Sequence, residues 1–146
     1  MTARISIDEY ALRLAHVAKL RSEDPYIQVG AIALDYENRV LAAGYNGLPP
    51  GKIVDPSFWA DRDKRLPFVV HAEMNLMALF KRGECRTLAI TLLPCGACAN
   101  NIVAHKIKRV VYSEDYHRDQ ISKEIFKFAG VELIQLNYGN DLCQET

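Results

Sequence analysis

From Cys85 to Leu136 the chain switches repeatedly between two apolar periods, and that alternation narrows the fold more than any other feature. CRTLAITLL is a continuous apolar run of strand type, CGACANNIVAHK is helical, IKRVVY is a strand, DQISKEIFKFAG a helix ending at Gly130, and VELIQL a last strand. Upstream, IQVGAIAL and RVLAAGY flank the polar turn DYEN and read as a hairpin. SIDEYALRLAHVAKL reads as an amphipathic helix, with Ser6 and Glu9 in capping-box positions and Ile7, Ala11, Leu14 and Ala18 at helical spacing. AEMNLMALFKRG is predicted as a helix that closes with Lys81 and Arg82 before Gly83. A hairpin followed by alternating helix and strand predicts an α/β fold, a three-layer αβα sandwich around a five-stranded mixed sheet whose later strands are joined by crossover helices.

One stretch breaks the pattern. Residues 46–70 carry Gly47, Pro49, Pro50, Gly51, Pro56 and Pro67 with no sustained period, a loop long enough that function explains it better than linkage. It lies between patterned segments, so residues 1–146 are read as a single domain. With 18 basic and 18 acidic residues the surface has no excess charge to hold a polynucleotide through counterion release. No apolar run is long enough for a bilayer, and the first residues lack a signal-peptide core, so a soluble, cytoplasmic protein with no membrane partner is expected.

That compartment bears on Cys95 and Cys98 in LLPCGACANN, which are a disulfide, a redox pair or half of a metal clamp. Structural disulfides are rare in the cytosol. Cys85 reads as a small buried residue and Cys143 as an exposed thiol in a polar tail. Upstream, HAEMN puts His71 and Glu73 at the start of one helix, as Cys95 and Cys98 stand at the start of the next behind Pro94. Two helix N-termini converging on one point favour thiolates. One imidazole and two thiolates suit zinc in tetrahedral geometry, with Zn–S near ~2.3 Å.

His16, His105 and His117 suit core or surface roles better than a fourth ligand. Three ligands leave a position for water, whose pKa zinc lowers to about 7. Glu73, two residues past His71, approaches the same centre without ligating it, and a carboxylate there can shuttle protons for about 10²–10⁴ in rate. Taken together, His-x-Glu and Pro-Cys-x-x-Cys form the signature of zinc nucleobase deaminases.

The resemblance extends beyond the metal motif. RSEDPYIQVGA, GYNGLPPG, a loop tryptophan with basic residues, PFVVHAEMN, LLPCGAC, SEDYH and FKFAGVEL, from about Arg21 to Leu136, resemble in order the deoxycytidylate (dCMP) deaminases of the cytidine deaminase superfamily. The resemblance implies a cytidine-deaminase-like fold and hydrolysis of dCMP to dUMP and ammonia, Glu73 protonating N3 and then the departing amine. It implies one catalytic Zn²⁺ per chain on His71, Cys95 and Cys98. It also implies contacts to the pyrimidine edge from the Ala72 amide and the carbonyl near Thr91.

For the rest of the nucleotide it suggests Asn46 at the deoxyribose, Ser22 as a phosphate hydroxyl and Tyr116 packed on sugar or base. Arg118 and Lys52 read better as solvated surface, and Trp59 as a loop anchor. Family members are often hexameric, activated by dCTP and inhibited by dTTP with Mg²⁺ near the GYNG turn, where Gly44, Tyr45 and Gly47 match. A homo-oligomer, in particular a hexamer, is therefore expected. The segment from Met1 to Pro67 contains no cysteine and only His16, which speaks against a second, structural zinc. Two rivals remain: a deaminase of tRNA or single-stranded DNA, and a zinc-stabilised nucleotide-binding protein without turnover.

Overall fold

The structure, a computed structural model, describes residues 3–138, so the Cys143 thiol lies outside the described residues. Helix α1 spans Ile7–Ala18, and Ser6 caps it, its Oγ accepting the Glu9 amide at 3.1 Å. The buried face of α1 matches the expected stripe only in part. Ala11, Leu12 and Ala15 are fully buried, whereas Ile7 is exposed and Leu14 and Ala18 are only partly covered. Leu12 supplies the apolar bulk, and the two alanines let the helix approach the sheet closely, where Ile32, Leu34, Ala89 and Val111 receive it.

Strands β1 (Gly30–Leu34) and β2 (Val40–Tyr45) form the expected antiparallel hairpin, with Asn38 at positive φ in its turn. Strands β3 (Thr87–Leu92), β4 (Arg109–Glu114) and β5 (Glu132–Gln135) complete a sheet of order β2-β1-β3-β4-β5. β1 runs antiparallel to β3, and β3, β4 and β5 are mutually parallel, so the sheet is mixed. β1 and β3 are central and buried almost throughout, because helices cover both faces; this is why they read as continuous apolar runs.

Among the described residues, α1 is the one helix on its face of the sheet, with Leu136 and Tyr138 packed beside it. The other face, with Ala31, Ala33, Leu88, Ile90, Val110 and Tyr112, lies under the helices that follow the hairpin. These are α3 (Ala72–Met77), α4 (Gly96–Ala104) and α5 (Ile121–Ala129), the last ending at Gly130 with φ 76°. The expected three layers are present. Arg109 ties α1 to the sheet at one end: its guanidinium donates to both carboxylate oxygens of Asp8 at 2.9–3.0 Å and to Glu132 of β5 at 2.9 Å.

Two segments depart from expectation. Helix α3 stops at Met77 instead of continuing to Gly83. Residues 78–84 are instead tied to the far end of α4, where the Gly83 amide donates to His105 O (3.1 Å) and Arg82 Nε to Ala104 O (2.8 Å). That anchorage turns the chain directly into β3, which a longer helix would prevent. The loop of residues 46–70 has local order: a 3-10 turn at Pro56–Ala60 capped by Asp55, a single helical turn α2 (Arg62–Arg65) capped by Asp61, and a 3-10 turn at Leu66–Phe68. Short aspartate-capped turns carry too few residues to show a period. Among the described residues no helix is long and apolar enough to cross a membrane.

Candidate active site

Helix α4 begins at the carboxyl end of β3, where parallel α/β sheets offer their crevice, and α3 begins beside it. His71 is the N-cap of α3 and Cys95 the N-cap of α4, with Cys98 in the first turn of α4. Backbone pairing holds the approaches. Gly47 and Val70 exchange hydrogen bonds (2.7 and 3.1 Å) just before His71, and the Leu93 amide donates to Glu114 O (2.8 Å) just before Pro94.

His71 Nδ1 then lies 3.6 Å from Cys95 Sγ and 3.3 Å from Cys98 Sγ, and all three donor atoms fall within 4.8 Å of one another. A tetrahedral zinc with ordinary bond lengths separates its nitrogen and sulfur ligands by roughly 3.5 Å. The triangle fits. No disulfide joins the cysteines, which removes the structural-bridge reading of Cys95 and Cys98. His16 lies elsewhere, against Ser113 and Tyr138; His105 closes the end of α4 against Phe80.

Proton sharing within the triangle matches its use as a ligand set. Hydrogen bonds from Cys98 and His71 pull the Cys95 thiol down to about 4, and the same contact with Cys95 raises the pKa of His71. The Cys98 thiol is pushed up by its bond to Cys95 and by burial. Metal binding displaces such protons.

Glu73 sits in the first turn of α3, 4% exposed, with Oε2 3.9 Å from His71 Nδ1. Burial raises its pKa above the ordinary carboxylate value, against the opposing pull of Cys98 and His71. A carboxyl group held nearer to the protonated state, beside three donors and not among them, can both take and return a proton.

These groups open into a cleft with a cavity volume of about 90 Å³. His71, Ala72, Glu73 and Cys95 stand on that wall, with Asn46 and Tyr116 from the sequence-predicted set. Asn46 is held rigidly: its Oδ1 accepts the Val29 amide and its Nδ2 donates to Ile27 O, each at 2.8 Å. Ser22 is not among the described residues of the wall; its buried hydroxyl accepts the Asp24 amide at 3.3 Å. Thr91 is buried in β3 with Oγ1 accepting the Gly30 amide, and its neighbours Leu92 and Leu93 reach the cleft instead.

Gly44 packs beneath α3, where an added Cβ would come within 3.0 Å of Ala72 O and Leu76 N. Tyr45 and Gly47 line a separate hollow with Arg21, Glu23, Lys52 and Asn75. Trp59 lies 5.8 Å from the Arg65 guanidinium.

Sequence reasoning missed Asp24, Arg62 and Arg65, all of which line the cleft. Arg65 Nη1 donates to Asp24 Oδ2 at 2.8 Å, and Asp24 Oδ1 accepts the Tyr26 and Ile27 amides. Arg62 makes only a 3.9 Å approach to Asp63. For the two arginines a signal was available, in a run of basic residues inside the unpatterned segment; Asp24 lies outside it and carries none.

This sheet, its three-donor triangle and the buried carboxylate beside it define a zinc-dependent hydrolytic deaminase. Deoxycytidylate deaminase from Mus musculus is 33% identical over 134 residues, spanning 84% of this chain and 75% of that protein. The ComE operon protein 2 of Bacillus subtilis is 32% identical over 142 residues, spanning 91% of this chain and 72% of that one. The crystal structure of dCMP deaminase from the cyanophage S-TIM5, in complex with dCMP and dUMP, superposes with a TM-score of 0.77 at 26% identity, covering 92% of this chain and all of that one. The chain belongs to the cytidine and deoxycytidylate deaminase family, whose zinc-binding region matches residues 5–114.

Proposed function

We propose that this protein hydrolyses dCMP to dUMP and ammonia. The observation that carries the reading is the Glu73 carboxyl, buried beside the His71–Cys95–Cys98 triangle without belonging to it. A purely structural metal site has no use for such a group. Bound zinc supplies the Lewis acidity that makes water nucleophilic at neutral pH. Glu73 takes one proton from the attacking water and returns it to N3 as oxygen bonds to C4. It then takes the proton of the new hydroxyl and gives it to the amine, the C4–N bond breaks, and ammonia leaves behind a C4 carbonyl.

The choice of a monophosphate rests on the cleft and on the named relatives. Asn46 and Tyr116 are assigned to the sugar and base. Arg65 is committed to Asp24, which leaves Arg62 as the wall arginine without a short ion pair among the described residues and the assigned partner of the 5′-phosphate. Offering the zinc-loaded protein dCMP, deoxycytidine, dCTP and a deoxycytidine oligonucleotide, and following ammonia release, tests the reading. Preference for dCMP supports it. Turnover of the oligonucleotide alone points to a polynucleotide deaminase, and binding without ammonia to a nucleotide sensor.

Regulation is part of the same proposal. The hollow containing Tyr45 and Gly47 carries the cations Arg21 and Lys52, which suit a nucleotide triphosphate. There dCTP activates and dTTP inhibits, with Mg²⁺ as the phosphate counter-ion, in a homo-oligomer, a hexamer by analogy with the family. Rates against dCMP concentration with each effector, with and without Mg²⁺, and the mass in solution by light scattering, test these points; rates indifferent to both nucleotides would exclude the regulation.

A further inference from the structure

One carboxylate serves the N-termini of two helices. Asp119 Oδ2 accepts the Gly96 amide at 2.9 Å, in the first turn of α4, and Oδ1 accepts the Ile121 amide at 3.2 Å, at the start of α5. Each amide is one that a helix leaves without an internal partner, and the positive end of each helix favours the negative charge. Gly96 follows Cys95 directly. A side chain at Gly96 would bring a Cβ within 2.6 Å of Ile121 Cγ2, so the two helix starts are packed as closely as a glycine allows.

The other side of this clamp is the turn that carries Tyr116 to the cleft. The Asp119 amide donates to Tyr116 O at 3.2 Å, and Gln120 Nε2 donates to the same carbonyl at 3.2 Å. Tyr116 thus stands on a short turn fastened at its carbonyl by Asp119, which in turn grips the residue next to a metal ligand. We propose that Asp119 is a positioning residue that holds the Tyr116 turn in register with Cys95, so that metal retention and substrate binding rise and fall together. The inference rests on the metal-centre reading of the cleft.

Loss of a hydrogen bond to a charged acceptor commonly changes an equilibrium by about tenfold or more. Zinc-loaded wild type, Asp119→Ala and Asp119→Asn are compared by the half-time of zinc transfer to a chelating dye, and by kcat and KM for dCMP measured separately. Asp119→Ala is expected to release zinc about tenfold faster and to raise KM about tenfold, with the smaller change in kcat. Asp119→Asn keeps one acceptor for two amides, so its values fall between the other two. An Asp119→Ala protein with wild-type zinc transfer and wild-type KM overturns the proposal. If Asp119→Ala does not fold, Asp119→Asn decides: a shift in zinc transfer supports the clamp, and wild-type transfer overturns it. A wild-type chain that retains zinc but leaves dCMP intact refutes the proposed reaction, while the zinc-transfer comparison still decides the role of Asp119.

Discussion

Arg65 Nη1 lies 2.8 Å from Asp24 Oδ2, and both side chains are almost wholly buried, at 3% and 4% exposure. The Arg65 guanidinium also sits 4.7 Å above the Tyr26 ring. This pair joins the unpatterned loop to the segment before β1 and forms part of the cleft wall. Removing one partner strands a buried charge, at a cost of about 3–5 kcal/mol. Arg65→Met is therefore expected to lower the urea midpoint sharply, and the double change with Asp24→Asn to recover part of the loss. A midpoint unchanged in Arg65→Met would contradict the pairing.

Glu73 and Cys98 should separate chemistry from metal binding. Glu73→Gln removes the proton carrier and leaves the three donors, so zinc content by elemental analysis stays near one per chain while ammonia release falls by at least about 10²-fold. Cys98→Ala removes a ligand, and zinc itself should be lost, as it should on chelator treatment of the wild type. Retained turnover in Glu73→Gln would refute its assigned role.

Arg62 should govern the choice between nucleotide and nucleoside. Loss of a charge-assisted contact to phosphate is worth roughly 1.5–3 kcal/mol, or about 10–100-fold in kcat/KM. Arg62→Ala is expected to lose that much toward dCMP and almost nothing toward deoxycytidine. Equal losses for both substrates would place the phosphate elsewhere.

His16 gives the fold a dependence on pH. Burial lowers its pKa below the ordinary value, Lys19 adds to the effect, and Glu114 opposes it. The unfolded chain therefore binds more protons than the folded one between the folded pKa and about 6.5. Stability is fully present above that ordinary value and declines as pH falls through it toward the lowered one. His16→Gln should flatten the fall in urea midpoint between pH 7.5 and 5.5 relative to wild type; identical slopes would remove His16 from the account. Zinc loss at low pH acts on both proteins, so the difference between them carries the information.

The order of the elements, the mixed sheet and the donors His71, Cys95 and Cys98 were legible from the amino-acid string alone, because each depends on short-range regularities: period, caps and the spacing of ligand types. Glu73 was legible for the same reason, two residues from a ligand on a common helix start. Tertiary structure alone decided which face of α1 is buried, since Leu12 and Leu14 both fit a helical stripe until the sheet selects one. It alone stopped α3 at Met77, through hydrogen bonds to the end of α4. It also placed Asp24, Arg62 and Arg65 on the cleft wall, and set the Ser22 hydroxyl against the Asp24 amide. Asp24 and Arg65 stand 41 positions apart, and Asp119 and Gly96 stand 23 apart. No local pattern encodes such pairs, because their partners are chosen by how whole layers pack.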